Sequence, residues 1–173
     1  LSKPRSAGPE TPMLGEVAAA SQPTGVFPPG DAYSESPAAA EAAIGNFGKQ
    51  AISAGYRHPD AMVSVAELAK ALGAPTLALL DVRPEDRFAL GHIPGARPLD
   101  RGDYSTGDNV PGMSRSPAEL EELLRELGVT KNSTVVLYGD GGPEPYRLWW
   151  TLRTIAGFDA RVLDGGLQAW KAA

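Results

Sequence analysis

The residues able to do chemistry in this sequence gather in one stretch, VVLYGDGGPEPYRLWW, from Val135 to Trp150. An apolar run ends at a Gly- and Pro-rich loop that feeds an aromatic, basic helix. This strand–loop–helix layout is how α/β proteins hold an anion or a nucleophile. The loop, Gly139, Asp140, Gly141, Gly142, Pro143, Glu144 and Pro145, contains no Cys, Ser, Thr, Lys or His. Pro143 and Pro145 each remove a backbone N–H donor. Asp140 and Glu144 put negative charge where an anionic substrate would need positive charge. A like-charge contact at ~4 Å costs about 1 kcal/mol in water and about 4 at an effective dielectric of 20. Arg147 is expected to pair with Glu144 or Asp140, a structural use of all three. The one nucleophile on offer is Asp140 itself, a strand-end carboxylate placed as in some hydrolases, with only Glu144 or Asp164 as a second acid for a metal.

Other polar candidates read as structural. Asp81 and Arg83 in LLDVR lie at a strand's C-terminal end, where α/β proteins place functional groups; the expectation is a pair tying the strand end to neighbouring loops. His92 could act as a general base, but with no nucleophile to activate it reads as a hydrogen-bonded structural histidine. Trp149 and Trp150 are about 100° apart on a helix, so one is expected to pack on the sheet and the other to face a partner, as an interface anchor. GDGG lacks the lysine of a phosphate-binding loop.

Bulk composition sets further bounds. The chain has 173 residues, 21% of them charged and 42% hydrophobic, with a net charge of -5. That balance is ordinary for a globular protein and argues against a nucleic-acid surface, which needs clustered Lys and Arg. No apolar stretch reaches the roughly 18 to 20 residues needed to span a bilayer as a helix. Cysteine is absent, which removes disulfides, thiolate metal sites and Cys nucleophiles. With His58 and His92 as the two histidines, a His-rich metal site is not expected, and no cofactor is called for. The first residue is Leu, so the expectation is a processed chain or a fragment; a cleaved export signal would fit, which leaves the compartment open.

Residues 1–58 form a Pro-, Ala-, Gly- and Ser-rich leader with few large apolar residues. Such a segment buries too little surface to offset its ordering entropy, so it is expected to be extended unless something holds it. Within it, one short helix is expected over about 37–54: Ser36 and Pro37 give a start signal, and Ala40, Ile44, Phe47 and Ala51 share a face. That face either lies on its own domain or docks on a partner protein, with Ile44 and Phe47 as contacts.

From residue 59 to 173 strands and helices alternate. MVSV reads as a strand. SVAELAKALG reads as a helix with a Ser64–Glu67 capping box and a Gly73 stop. TLALLDV is a continuous apolar strand, as a sheet covered on both faces requires. PEDRFAL is a short helix, and SPAELEELLRELG a helix capped by Ser116, with Pro117 at its first turn, Glu119 completing the box and Gly128 ending it. STVVLY, PYRLWWTLRTIAG, ARVL and LQAWKAA continue the alternation. The implied fold is α/β, an open parallel sheet with helices on both faces.

Three segments together resemble the rhodanese (sulfurtransferase) family: LLDVRPEDRFALGHIPGARPLD from Leu79, STVVLYGDGGPEPYRLWWTLRTIAGF from Ser133, and RVLDGGLQAWKAA from Arg161. The resemblance covers about residues 59–173 and is nearest to the first domain of two-domain thiosulfate and mercaptopyruvate sulfurtransferases. In catalytic members a Cys ends the fourth strand and carries a sulfane sulfur, surrounded by backbone N–H groups of the loop after it. Here that position falls on Gly139, followed by Asp140. Two-domain relatives also often carry a substrate-binding His before the capped helix, where this chain has GDNVPGMSRSP. The resemblance therefore implies a catalytically silent rhodanese-like domain that binds or scaffolds other protein chains. The alternative is the inactive half of a two-domain sulfurtransferase whose Cys lies on another domain or chain; a hydrolase built on Asp140 is the third reading.

Overall fold

The computed structural model describes residues 36–49, 55, 57–106 and 113–173; residues 1–35 of the extended leader expected over 1–58, and the 50–54 end of its expected helix, lie outside them. A parallel five-stranded sheet has the order β1-β7-β6-β2-β3. Its strands are β1 (Met62–Val63), β2 (Leu77–Asp81), β3 (Arg97–Pro98), β6 (Thr134–Tyr138) and β7 (Asp159–Leu163). A small antiparallel pair, β4 (Ser105–Thr106) and β5 (Met113–Ser114), stands apart. The helices are α1 (Pro37–Ile44), α2 (Val65–Ala71), α3 (Glu85–Ala89), α4 (Arg101–Tyr104), α5 (Pro117–Glu126), α6 (Glu144–Thr154) and α7 (Gly166–Ala172).

The apolar run of β6 is buried along its whole length because successive side chains serve opposite faces. Val135 and Leu137 join Leu120 and Leu124 of α5 and Leu148 and Leu152 of α6 in one core. Val136 and Tyr138 join Leu68 of α2, Leu167 and Trp170 of α7, and Phe47 in the other. Each fully buried Leu or Val stabilises the domain by about 1.5–3 kcal/mol before entropy is counted. The capping signals hold: Ser64 with Glu67 and Ser116 with Glu119 form reciprocal boxes, and Gly73 and Gly128 turn left-handed after their helices.

α1 corrects the reading of its sequence in two respects. Ser36 caps it, accepting from the Ala39 amide at 3.2 Å, but the helix stops at Ile44. Gly45 caps its end and Gly48 turns to φ 83°; a Cβ at Gly48 would meet the Pro59 carbonyl oxygen at 2.5 Å. Phe47 is buried and Ile44 half-buried against the domain's own core. The Glu41 carboxylate accepts from the amide and hydroxyl of Thr76 at the start of β2, and Arg161 lies over the Phe47 ring at 5.7 Å. α1 is thus part of the packed body, although composition alone assigns its residues to the leader. Phe47→Ala is expected to cost about 3 kcal/mol of stability; urea unfolding of wild type and variant measures it, and no change would mean that α1 is not part of the cooperative unit.

Candidate functional site

The loop after β6 leaves the C-terminal edge of the sheet between β2 and β7. Gly139 is enclosed: a Cβ there would meet Pro145 Cγ at 3.1 Å and Val82 Cγ2 at 3.5 Å. From the other side, a Cβ on Gly166 (φ 56°) would come within 2.4 Å of the Gly139 carbonyl oxygen. That closeness lets the Leu167 amide donate to the same oxygen at 2.9 Å, so a glycine at 166 is what admits the start of α7 to the loop. The buried Pro145 ring lies tight against the place a side chain at 139 would start, and would have to yield by a few tenths of an ångström to admit one.

Arg83 organises the floor beside it. Its side chain is 7% exposed and Asp81 is wholly buried. Nε donates to Asp81 Oδ1 and Oδ2 at 2.9 and 3.1 Å, and Nη2 donates to Asp81 Oδ2 at 2.6 Å and to the Gly91 carbonyl at 2.8 Å. Burial works against the guanidinium's charge, but the hydrogen bonds and charge of Asp81, joined by Asp140, outweigh it and raise the pKa further above its ordinary value. Nη1 faces Asp140 Oδ1 at 3.6 Å. Tyr138 closes the group: its hydroxyl accepts from the Ile93 amide at 3.1 Å, and burial, then the nearby Asp81 charge, push its pKa up.

The acids of the loop go to different partners from those expected. Glu144 Oε1 accepts from Arg101 Nη1 at 3.1 Å, and Oε2 accepts from the Tyr104 hydroxyl at 2.9 Å. Asp140 goes to Arg83. The expected pairing of Arg147 with Glu144 or Asp140 is therefore not formed, and among the described residues its guanidinium makes no ion pair. The reason is spatial: α4 brings Arg101 and Tyr104 to the first turn of α6, where a carboxylate also suits the helix's positive end. Burial, then the bond to Glu144, raises the Tyr104 pKa. Nothing in the loop's own sequence pointed to α4. The signal was DRGDY, a third capping box with Asp100 as cap and Asp103 reaching back.

The remaining candidates are structural or peripheral. His92 stacks on Phe88 with centroids 3.8 Å apart, its Nδ1 3.1 Å from the Phe88 carbonyl oxygen. Trp149 packs partly buried against the core, while Trp150 points out at 53% exposure with Tyr146 beside it one turn earlier. Trp170 is buried. Asp140 and Glu144, the acids available to a hydrolase, each turn to a separate arginine, and no group of metal-ligating side chains occurs among the described residues. A cleft bounded by Pro75, Arg97 and Gly128 lies at the other, N-terminal end of β2.

Residues 64–173 match the sequence model of the rhodanese-like domain. The chain belongs to the rhodanese-like domain family. Relatives include a thiosulfate sulfurtransferase of Pseudomonas aeruginosa, 41% identical over 113 residues that make up 64% of this chain and 42% of that protein. The sulfur carrier protein TtuD of Thermus thermophilus is 34% identical over 125 residues, 67% of this chain and 41% of that one. Among solved structures, the 3-mercaptopyruvate sulfotransferase SseA of Escherichia coli superposes with a TM-score of 0.58 at 30% identity, covering 65% of this chain and 47% of that chain. This chain thus spans less than half the length of these relatives. The chain contains no cysteine.

The two buried tyrosines of this rhodanese-like site predict alkaline sensitivity. Their folded pKa values lie above the ordinary 10.0, so above about pH 10 the unfolded chain loses these protons first. Stability is intact below that pH and falls as pH rises, by up to about 1.4 kcal/mol per pH unit for each tyrosine. Urea midpoints from pH 9 to 11.5 should show this decline, and Tyr138→Phe should flatten it while costing about 1–3 kcal/mol at neutral pH for the orphaned Ile93 amide. An unchanged slope in the variant would refute the assignment.

Proposed function

We propose that this rhodanese-like domain transfers no sulfur by itself and works by binding another protein chain. Sulfur transfer in the family's catalytic form needs a thiolate to take a sulfane sulfur from a donor and pass it to an acceptor. The observation that carries the reading is Gly139 at the nucleophile's position with the Pro145 ring packed against it, in a chain without cysteine. Asp140 at the loop mouth adds negative charge that anionic donors such as thiosulfate would meet. With Ile44 and Phe47 spent on the domain's own core, the outward aromatic pair Tyr146 and Trp150 of α6 is the better candidate contact.

A second reading has its own support: the matched thiosulfate sulfurtransferase is more than twice as long as the region it shares with this chain. On that reading the domain is the non-catalytic half of a sulfurtransferase whose thiol lies on another domain or chain, and that domain is the partner. The chemistry of this loop is the same under both.

With thiosulfate or 3-mercaptopyruvate as donor and cyanide as acceptor, the chain alone should run at the buffer rate; turnover above it would overturn the proposal. Gly139→Cys alone should remain at that rate. If it turned over, the missing thiol would be the whole cause of silence and the packing of Pro145 would be irrelevant. Native capture with the tagged chain should recover a defined partner, and Trp150→Ala should weaken that capture by about 2 kcal/mol, roughly 30-fold. Capture indifferent to Trp150 would remove α6 from the interface.

A further inference from the structure

Helices α5 and α6 bury Leu120, Leu124, Leu148 and Leu152 in one core on the same face of the sheet. Their other sides therefore turn to solvent together, and those two sides differ in chemistry. α6 contains a single acid, Glu144, which Arg101 and Tyr104 already hold. Its solvent side carries Tyr146 and Trp150, 49% and 53% exposed, with Arg147 beside them. Arg147 makes no ion pair among the described residues.

α5 has the opposite character. Its sequence PAELEELLRE holds four glutamates against one arginine. A groove of about 350 Å³ runs along it, lined by Arg115, Ala118, Glu119, Glu122, Leu123 and Glu126. Glu119 is spent on Ser116 and Glu122 on Arg125. Glu126 makes no hydrogen bond or ion pair among the described residues. One helix thus presents two rings and an unpaired arginine. Its neighbour presents a groove holding Leu123 and an unpaired glutamate.

We infer that this face is a self-association surface, on which a second copy of the chain docks about a two-fold axis. α6 of each copy lies on α5 of the other, with Trp150 in the groove beside Leu123 and Arg147 against Glu126. A two-fold interface uses one patch twice, so a patch with two complementary halves is its own partner. The helices match in length, 10 and 11 residues or about 15 Å each. Charge selects the crossed pairing, because α5 on α5 would bring glutamates together and α6 on α6 arginines. A net charge of -5 repels whole copies at long range, so the attraction has to be local. The inference rests on the reading that the domain works by binding another chain, and it names that chain as a second copy.

Sedimentation equilibrium of the full chain measures the dimer dissociation constant. Wild type should dimerise, and Trp150→Ala should raise the constant about 30-fold, as for a central aromatic anchor. Arg147→Glu should raise it at least about tenfold by setting like charges opposite each other. The double variant Arg147→Glu with Glu126→Arg exchanges the two charges and should return to within about threefold of wild type. Thermal melts confirm that each variant is folded. A chain monomeric at every concentration, a dimer indifferent to both single changes, or a double variant as weak as Arg147→Glu alone would overturn the inference. Native capture keeps the outcomes separate. A monomeric chain that still retains a different protein sinks self-pairing and leaves the proposed function standing, whereas a monomeric chain that retains nothing sinks both.

Discussion

A guanidinium that is buried must be neutralised and must spend its donors, and Arg83 meets both demands at the one place where the loop is built. Leaving such a charge without its partner costs about 3–5 kcal/mol, so its neighbours are constrained. Asp81 has to lie at the last position of β2, and the Gly91 carbonyl has to turn inward to meet Nη2. Tyr138 fits beneath, with the Arg83 guanidinium 6.0 Å from its ring centroid, and its hydroxyl fixes Ile93. The ends of β2 and β6 and the turn before β3 are thereby tied together through one side chain. Asp140 joins from the solvent side, which is how an acidic residue comes to sit stably at a loop mouth.

The same packing explains why the turn keeps its shape without a nucleophile. Gly139 is held from three directions, by Pro145, by Val82 and by the start of α7. None of these contacts uses a side chain at 139. Pro145 would remove a donor from an anion cradle, but as packing it gives a rigid, apolar plug that stiffens the first turn of α6. Features that read as defects for catalysis are ordinary stabilising features for a turn. The family relationship explains the shape, and the local contacts explain its persistence.

Most of this fold was legible because its signals are local. The capping boxes at Ser64 and Ser116, the stops at Gly73 and Gly128 and the continuous apolar strands β2 and β6 each follow from a few neighbouring residues, and the structure has them there. What was not legible depends on contacts distant in sequence. β3 is two residues long and contains a proline, too short for any periodicity. The partner of Glu144 is Arg101, on a four-residue helix that no pattern longer than DRGDY announces. Likewise, the apolar face of α1 could be read as facing the domain or facing a partner, because amphipathicity specifies a buried side and not what buries it. Glu41 reaching Thr76 and Arg161 lying over Phe47 settle that in favour of the domain.

Charge bookkeeping across this edge of the sheet separates what the loop has become from what its neighbour surface offers. Asp140 and Glu144, left unpaired, would give the mouth a strongly negative field. With Arg83 and Arg101 opposite them, the turn is close to neutral and its acids act as ties between elements. Arg147 is left over on α6, half-buried and without an ion pair among the described residues. Next to it in sequence, and three residues further on, the same helix turns Tyr146 and Trp150 outward. Aromatic rings with an uncommitted arginine are the side chains that yield most on desolvation at an interface. The acids balanced by their own arginines leave that face with charge and apolar surface that the fold itself does not use.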